Sequence, residues 1–308
     1  MTLAAGAAGL MSDPVALAST PRKPGGLRFA HLTDMHVQPE RRGGEGYAAA
    51  LRSLEKLDPK PAFIVTGGDH VMDAFEQTPA RCKQQWDLYQ QVLRDNTGLP
   101  VYPVMGNHDI CGWGAPEKFP IDGDGYGKRM AMDRLGLKSV WYGFDAGGWR
   151  FILLDSVARR SKSYLGDLTE EQTAWLKSEL ERAGRDRPIC IISHLPVLSV
   201  CVYFDGERLR DTFWHVPDAW MHRDAVQITQ LIEPYHVPLL LSGHIHLVDR
   251  CEYRGKTYIC DGSVCGNWWK GAYHDCPEGY GVIDVWPDGT FEHQYVTFGW
   301  KAEPESSG

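Results

Sequence analysis

Short apolar runs that end in polar, metal-binding side chains recur along the chain. They occur in the segments FAHLTDMH, FIVTGGD, VYPVMGNHD, CIISHLP and LLLSGHIH. Four of these segments have the pattern of a buried strand followed by a polar loop, and the first has it more loosely. Because open α/β sheets bind ligands at the ends of neighbouring strands, we expect the Asp, Asn and His side chains of these loops to converge.

The same pattern predicts the elements of an α/β domain. Apolar runs predict strands at 27–32, 62–66, 101–104, 140–144, 149–154, 189–193 and 238–242. Helical spacing predicts helices at 47–57, 84–95, 169–181 and 224–232. The third of these helices starts with a capping signature formed by Thr169 and Gln172. Residues 111–133 show no period and are rich in Gly and Asp, so we predict a long loop or insertion there, for which a lid over the site is one interpretation.

The pattern changes beyond residue 253. Short strands separated by turns are predicted at 257–261, 281–286 and 290–298. We interpret these strands as a sheet packed on the first, which favours a two-sheet core with helices outside. The predicted organisation is a leader or signal remnant with its linker at 1–26, a single domain at 27–300 and a tail at 301–308.

The loops after the strands offer carboxylate, imidazole and amide oxygen ligands without a thiolate. Such a set suits metal ions such as Mn, Fe, Zn or Co, without deciding among them. Two metal ions about 3.5–4 Å apart can share a bridging hydroxide and clamp a phosphoryl group. The loops therefore predict ligands for two metal ions.

The order of the motifs resembles that of the calcineurin-like metallophosphoesterase superfamily over roughly residues 27 to 250. The family pattern of D-x-H, G-D, G-N-H-D, a lone His and G-H-x-H stands here at Asp34/His36, Asp69, Asn107/His108/Asp109, His194 and His244/His246. The resemblance implies an α/β fold, a four-layer α/β/β/α sandwich with two mixed β-sheets flanked by helices. His36 and Met72 depart from the purple acid phosphatase branch, in which the first motif lacks the His and a Tyr follows the G-D element.

The resemblance also implies a role for each motif residue. The first metal ion would be bound by Asp34, His36, Asp69 and His246, and the second by Asp69, Asn107, His194 and His244. A metal-bridging hydroxide would be the nucleophile, so that no phosphoenzyme forms. His108 is the catalytic candidate that contacts the phosphate or protonates the leaving oxygen. Asp109 would orient the His108 ring by accepting a hydrogen bond from it.

Three functions fit this site. The first is a metallophosphodiesterase that resembles the bacterial cyclic-nucleotide and glycerophosphodiester phosphodiesterases of the superfamily. The second is a phosphomonoesterase with the same metals, because the sequence does not show whether a second ester arm has room. The third is a non-catalytic protein that binds metal or a phospholigand.

The amino-acid composition limits the kinds of binding partner that we expect. The chain has 308 residues and a formal net charge of −8, which argues against stable binding to nucleic acid. The partner that the motifs and the resemblance imply is a small-molecule phosphoester. No run approaches the roughly 20 apolar residues of a membrane span. Homo-oligomer formation is compatible with the sequence. Eight cysteines without a C-x-x-C motif leave Cys111 with Cys201, or a pair among Cys251, Cys260, Cys265 and Cys276, as candidates for disulfides in an oxidising compartment.

The first twenty residues provide evidence on the cellular compartment of the protein. Residues 2–18 are mostly Ala, Gly and Leu, and Ala16-Leu17-Ala18 has the small-x-small form of a signal-peptidase site. A positively charged start is missing, and Asp13-Pro14 interrupts the apolar stretch. We expect an exported protein, periplasmic or secreted; an Ala-rich leader on a cytoplasmic protein is the alternative.

Other residues have two interpretations each. Trp268 and Trp269 either line a pocket over the metals, where they stack on a nucleobase or another flat group, or pack in the core. Residues 203–215 are interpreted as a cap or an oligomer contact. His31 is predicted to lie in the core or behind the ligands, His70 to contact substrate or support the ligands, and Asp73 to cap a helix.

Overall fold

The computed structural model describes residues 23–204 and 209–303. Over these residues the chain forms fifteen strands: β1 (Leu27–Leu32), β2 (Ile64–Thr66), β3 (Val101–Pro103), β4 (Tyr142–Ala146), β5 (Trp149–Leu153), β6 (Val157–Arg160), β7 (Ser163–Gly166), β8 (Ile189–Ile192), β9 (Leu209–Arg210), β10 (Phe213–Trp214), β11 (Leu239–Ser242), β12 (Asp249–Tyr253), β13 (Lys256–Cys260), β14 (Gly279–Val285) and β15 (Phe291–Thr297). The predicted signal region, part of the predicted tail and residues 205–208 of the predicted cap lie outside the described residues.

Five α-helices accompany these strands in the same part of the chain: α1 (Gly43–Leu54), α2 (Pro79–Asn96), α3 (Arg129–Leu135), α4 (Glu170–Ala183) and α5 (Ala225–Ile232). The N-cap Thr169 accepts a hydrogen bond from the backbone N–H of Gln172 at 3.1 Å, as its capping signature predicts. Helix α2 begins earlier than predicted, because Thr78 caps it and Pro79 provides a ready-made first turn. None of the helices that the structure describes is long and apolar enough to cross a membrane.

Two large mixed sheets form the centre of the fold. The first has the strand order β15-β14-β1-β2-β3, in which β1, β2 and β3 are parallel and β14 and β15 are antiparallel to their neighbours. The second has the order β12-β13-β11-β8-β5-β4, in which β13, β11, β8 and β5 are parallel and the two edge strands are antiparallel. The small pairs β6–β7 and β9–β10 lie outside both sheets.

Three apolar layers hold the sheets and helices together. Phe29, Phe63 and Phe151 lie between the two sheets, with ring centroids 5.3–5.5 Å apart. Helices α1 and α2 cover the outer face of the first sheet, and α4 and α5 cover that of the second. Each layer removes large apolar side chains from water, and this burial stabilises the fold by about 25 cal/mol per Å² of apolar surface. The predicted four-layer α/β/β/α sandwich is confirmed.

The prediction that the C-terminal strands form a separate sheet is wrong. Strands β12 and β13 extend the second sheet, because β13 pairs in parallel with β11. Strands β14 and β15 extend the first sheet, because β14 pairs antiparallel with β1, for example Val285 with Leu27. The C-terminal strands therefore pair with β1 and β11. Without this pairing, β1 and β11 would be edge strands with unpaired backbone groups.

Residues 111–133, predicted to be a loop or lid, pack closely against the first sheet and its helices. Phe119 and Tyr126 belong to the apolar core under α1 and α2, and Cys111 exchanges two backbone hydrogen bonds with Gly127. Helix α3 begins near the end of this segment and stops at Gly136, whose φ of 68° is left-handed. All eight cysteines are free thiols, so the disulfides considered from the sequence are not formed.

Candidate metal centre

The seven predicted metal ligands come together from five loops. Each loop follows a parallel strand, β1, β2, β3, β8 or β11, and these strands point their C-terminal ends at the same place. Six of the ligands are buried, and His244 is partly exposed. The sequence prediction of one convergent site therefore agrees with the geometry.

The ligand atoms of the first predicted site face a common centre. His36 Nε2 lies 3.2 Å from His246 Nε2. Asp34 Oδ1 lies 3.3 Å from His246 Nε2 and 3.9 Å from His36 Nε2. Asp69 Oδ2 lies 3.6 Å from His36 Nε2 and completes the set.

The second predicted site shares the same oxygen of Asp69. His194 Nε2 lies 3.2 Å from Asp69 Oδ2 and 3.1 Å from Asn107 Oδ1. His244 Nδ1 lies 3.3 Å from His194 Nε2. A single carboxylate oxygen thus lies between the two groups of ligands, which is the position of a bridging ligand.

Backbone carbonyl groups orient all four imidazoles. The ring nitrogens that point away from the centre contact carbonyl oxygens of Met72 (His36, 3.3 Å), Gly67 (His194, 2.8 Å), Ala219 (His244, 3.0 Å) and Gly266 (His246, 2.7 Å). Because a carbonyl only accepts, each of these nitrogens donates its N–H outward. The inward nitrogens then carry lone pairs, and such outward hydrogen bonds are typical of histidines that bind metal.

These facing lone pairs require positive charge between them. The nitrogens of His36 and His246 meet at 3.2 Å, and those of His194 and His244 at 3.3 Å, so each pair needs a proton or a metal ion. Asp34 Oδ1 is buried and has no hydrogen-bond partner among the described residues. A buried carboxylate oxygen without a partner is costly unless a cation occupies the space in front of it. The residues therefore fit two metal ions.

Electrostatics within the centre agree with this requirement. Burial and the neighbouring His108 lower the pKa of His36 to about 3, and burial and His194 lower that of His244 to about 3. Burial opposes charging of His194, but Asp69 outweighs it and raises the pKa to about 9. Asp69 therefore favours a positive charge at the His194–His244 pair, which a bound metal ion would supply.

Five of the seven ligands have a left-handed backbone. The φ angles are 55° at Asp34, 41° at His36, 54° at Asp69, 72° at His244 and 61° at His246. Side chains other than Gly rarely adopt this conformation, which costs on the order of 1–3 kcal/mol per residue. Strain of this kind persists where the surrounding structure enforces it, and it concentrates at functional sites.

The structure places His108 at the centre but gives Asp109 another partner. Atoms of His108, His36 and Asp69 lie within 4.8 Å of one another, and the His108 ring is partly exposed. His108 Nδ1 donates to the carbonyl oxygen of Met72 at 2.7 Å, so its Nε2 is available to substrate. The expected contact between Asp109 and His108 is therefore wrong, because Met72 takes that position.

Asp109 and His70 instead form a buried pair behind the ligands. The Asp109 carboxylate contacts His70 Nδ1 at 2.9 Å, and Thr66 Oγ1 lies 2.7 Å from His70 Nε2. His70 therefore supports the ligand loops, which is one of its two predicted roles. Asp73 accepts hydrogen bonds from the backbone of Phe75 and Glu76, and the helix cap predicted for it is wrong because Thr78 caps α2.

Several other residues of the centre were not predicted as site residues from the sequence. Thr33 donates to Asp34 Oδ2 at 2.6 Å, and the thiol of Cys265 lies within 4.8 Å of His36 and His246, although no thiol was expected there. The Tyr164 and Trp220 rings lie 6.2 and 6.1 Å from that of His244. Thr33 is adjacent to Asp34, whereas Cys265, Tyr164 and Trp220 lie outside the motif segments, and no local pattern predicts their contacts with the histidines.

Comparison with known proteins connects the centre with a family. The family model described as calcineurin-like phosphoesterase matches residues 27–248. A 3′,5′-cyclic-nucleotide phosphodiesterase of Nostoc sp. is 26% identical over 284 residues, which cover 86% of this chain and 90% of that protein. The serine/threonine-protein phosphatase CPPED1 of Bos taurus is 30% identical over 218 residues, which cover 70% of this chain and 63% of that protein.

Solved structures show the same fold. A dimetal phosphatase from Danio rerio superposes with a TM-score of 0.57 at 16% sequence identity, and the alignment covers 89% of this chain and 99% of that chain.

Proposed function

The chain belongs to the calcineurin-like phosphoesterase family, and we propose that it hydrolyses phosphodiesters with two metal ions bound by the seven ligands of its centre. As a member of this family it is a metal-dependent phosphoester hydrolase. The observation that carries the proposal is the position of Asp69 Oδ2, 3.6 Å from His36 Nε2 and 3.2 Å from His194 Nε2. One oxygen that serves both groups of ligands suits a pair of ions rather than a single one.

The charges of the ligands suit an anionic substrate. Asp34 and Asp69 supply two negative charges, and Asn107 and the four imidazoles are neutral when they bind metal. Two divalent ions would leave a net positive charge at the centre. When bound, such ions polarise a phosphoryl oxygen and lower the pKa of water. The chain itself then positions the ester beside His108. Because its Nδ1–H is donated to the carbonyl oxygen of Met72, the ring donates a proton from Nε2 to the leaving oxygen in its imidazolium form.

Two observations favour a diester over a monoester. Aromatic rings line the centre on two sides, Trp268 and Tyr273 beside His246, and Tyr164 and Trp220 beside His244. A diester has two arms, and each side offers an apolar surface for one of them. The cyclic-nucleotide phosphodiesterase of Nostoc sp. also aligns over most of both chains.

A phosphomonoesterase is the second candidate. It is supported by the 30% identity to the phosphatase of Bos taurus, although this chain covers only 63% of the length of that protein. Every ligand predicted from the sequence would serve both reactions. A non-catalytic metal or phospholigand binder is the third candidate, and it would keep the ligands without turnover.

Hydrolysis of bis-p-nitrophenyl phosphate and of p-nitrophenyl phosphate separates the three candidates. The metal-stripped protein is assayed with Mn, Zn, Fe or Co added back in turn, beside Asn107→Ala and the control His215→Ala, whose ring is exposed. Faster diester turnover that needs both metal and Asn107 is the expected result. Faster monoester turnover would establish the phosphatase, and the absence of metal-dependent turnover would contradict both enzymes. The same add-back series, with metal analysis of the purified protein, identifies the ions.

We further propose export of the protein, supported by the Ala-rich start and the Ala16-Leu17-Ala18 sequence. Fractionation of cells that express the full chain tests this proposal. An N-terminus processed after Ala18 in the exported fraction is expected, and an unprocessed cytoplasmic protein would contradict it. Sedimentation of the same sample determines whether the chain forms a homo-oligomer.

A further inference from the structure

We propose that Trp268 forms the wall of a subsite beside the first metal position and that this subsite stacks on a flat aromatic arm of the substrate, such as a nucleobase. The inference deepens the proposed phosphodiesterase function, on which it rests, by naming the chemical class of one ester arm. It concerns a side chain that is neither a metal ligand nor a proton donor.

The two adjacent tryptophans have different roles in the structure. Trp269 is buried, with 1% of its surface exposed, and donates its Nε1–H to the carbonyl oxygen of His36 at 3.0 Å. Trp268 is partly exposed. Its ring centroid lies 4.8 Å from that of His246 and 6.0 Å from that of His36. Trp269 therefore supports a ligand from behind, and Trp268 covers the ligands from the side that solvent can reach.

A second ring completes a corner with Trp268. Tyr273 lies 5.8 Å from Trp268 with an interplanar angle of 76°, and 5.9 Å from His246. A face and an edge at nearly right angles suit a planar group, which can stack on one ring and contact the other with its rim. A nucleobase attached to a phosphoryl group at the metal ions has this shape.

The backbone of Trp268 is held in a strained conformation. Its φ is 47° and that of Trp269 is 67°, both in the left-handed region that bulky side chains avoid. Three backbone hydrogen bonds of 2.8 Å hold the turn. The N–H of Trp269 donates to the carbonyl oxygen of Cys265, that of Asn267 to Gly271, and that of Lys270 to Asn267. A relaxed turn would place Gly or Asn at such positions. Strain retained in a large, partly exposed side chain beside the ligands is typical of a residue that clamps a ligand.

Equilibrium binding of two phosphate monoesters tests the subsite. Adenosine 5′-monophosphate and ribose 5-phosphate share the phosphoryl and sugar groups and differ in the base. Their dissociation constants are measured calorimetrically at 4 °C on the manganese-loaded protein, and chromatography after each titration verifies that the ligand is intact. Because stacking of a base on an aromatic side chain strengthens binding, we expect the nucleotide to bind roughly 5- to 100-fold more tightly.

Three variants locate the effect. Trp268→Leu is expected to bring the two dissociation constants within about twofold of each other by weakening only the nucleotide, because Leu keeps an apolar group but offers no π-face. Trp268→Phe retains a ring and should retain most of the difference. The control Tyr253→Leu changes an aromatic side chain that is 47% exposed on the edge strand β12, and both constants should stay at the wild-type values.

The inference is overturned if wild-type protein binds the two ligands equally, if Trp268→Leu keeps the wild-type ratio, or if it weakens both ligands equally. The last outcome would make Trp268 a purely structural residue. Because the readout is binding, its failure is distinguishable from that of the proposed function. A Trp268-dependent preference for the base without diester turnover would refute only the phosphodiesterase, and diester turnover without that preference would refute only the subsite.

Discussion

The carboxylate of Asp109 lies 2.9 Å from Nδ1 of His70, and both side chains are completely buried. The same carboxylate accepts the backbone N–H groups of Asp69 at 3.0 Å, His70 at 2.8 Å and Gly106 at 2.8 Å. It therefore joins the loop that follows β2 to the loop that follows β3. These loops carry Asp69 and Asn107, which belong to the metal centre, so Asp109 determines the spacing of two ligands without touching either metal position.

Asp109→Asn should therefore weaken metal binding. An amide NH₂ group would face backbone donors in place of one carboxylate oxygen, and the loops would have to move. We expect a loss of about 3 kcal/mol in the free energy of unfolding and a 10- to 100-fold loss in metal affinity, roughly the range for partners of metal ligands. Chelator competition and chemical unfolding measure the two effects. Wild-type metal affinity in this variant would contradict the role, and the exposed Asp122→Asn serves as the control.

His108→Ala should reduce turnover while both metals remain bound. His108 is partly exposed and is fixed by the carbonyl oxygen of Met72, so its loss removes a proton donor but no predicted metal ligand. The expected decrease in kcat is about 10²- to 10⁴-fold. Initial rates and metal content are measured on the same samples, with the exposed His215→Ala as the matched control. A variant that loses metal in proportion to activity would show that His108 acts as a ligand instead.

Gly106 is required because Asp69 lies against its backbone. A Cβ at this position would come 2.2 Å from Asp69 Oδ1 and 2.3 Å from Asp69 N, closer than nonbonded atoms approach. Gly106→Ala should therefore displace Asp69 and prevent the binding of two metal ions, measured as metal content after dialysis. At Gly98 a Cβ meets nothing within 4 Å, so Gly98→Ala should retain the wild-type content. Two tightly bound metal ions in Gly106→Ala would contradict this account of the loop.

The convergence of the candidate ligands could be predicted from the sequence because each follows an apolar run that forms a strand. Strand β1 begins and ends at the predicted residues, Leu27 and Leu32, and Asp34 comes two residues later. The parallel arrangement of the strands then brings the loops together. The local strand–loop pattern and the parallel arrangement of the strands lead to the same location, so this location could be predicted from the sequence.

The supporting contacts could not be predicted because they depend on pairings between distant residues. The carbonyl groups of Met72 and Gly266 orient His36 and His246. Because every residue has a backbone carbonyl group, the sequence does not identify the ones that accept these hydrogen bonds. The pairing of β14 with β1 likewise joins Val285 to Leu27. An apolar, alternating strand fits several edges equally well, and only the folded arrangement decides which edge is open.

Asp261 connects the two sheets and should make stability depend on pH in the acidic range. This fully buried carboxylate follows β13 and contacts His31 Nδ1 on β1 and His293 Nε2 on β15, each at 2.7 Å. Burial opposes its ionisation, but His293 and His31 outweigh burial and lower the pKa of the Asp261 carboxyl well below its usual 3.8. A carboxyl group whose pKa is lower in the folded than in the unfolded protein contributes its full stabilisation at pH values above the unfolded-state pKa. This stabilisation is lost as the pH falls through the folded-state pKa.

Asp261→Asn should therefore cost about 3 kcal/mol of the free energy of unfolding at pH 5, because it removes the charged member of a buried cluster. At pH 3, where wild-type protein has begun to lose the contribution of the carboxylate, the difference between the two proteins should be smaller. Denaturant unfolding of the metal-stripped proteins at both pH values measures it, and removal of the metals excludes their release as a cause. The exposed Asp124→Asn should match wild type at both pH values. A difference that is constant, or larger at pH 3, would show that Asp261 acts through its shape rather than through its charge.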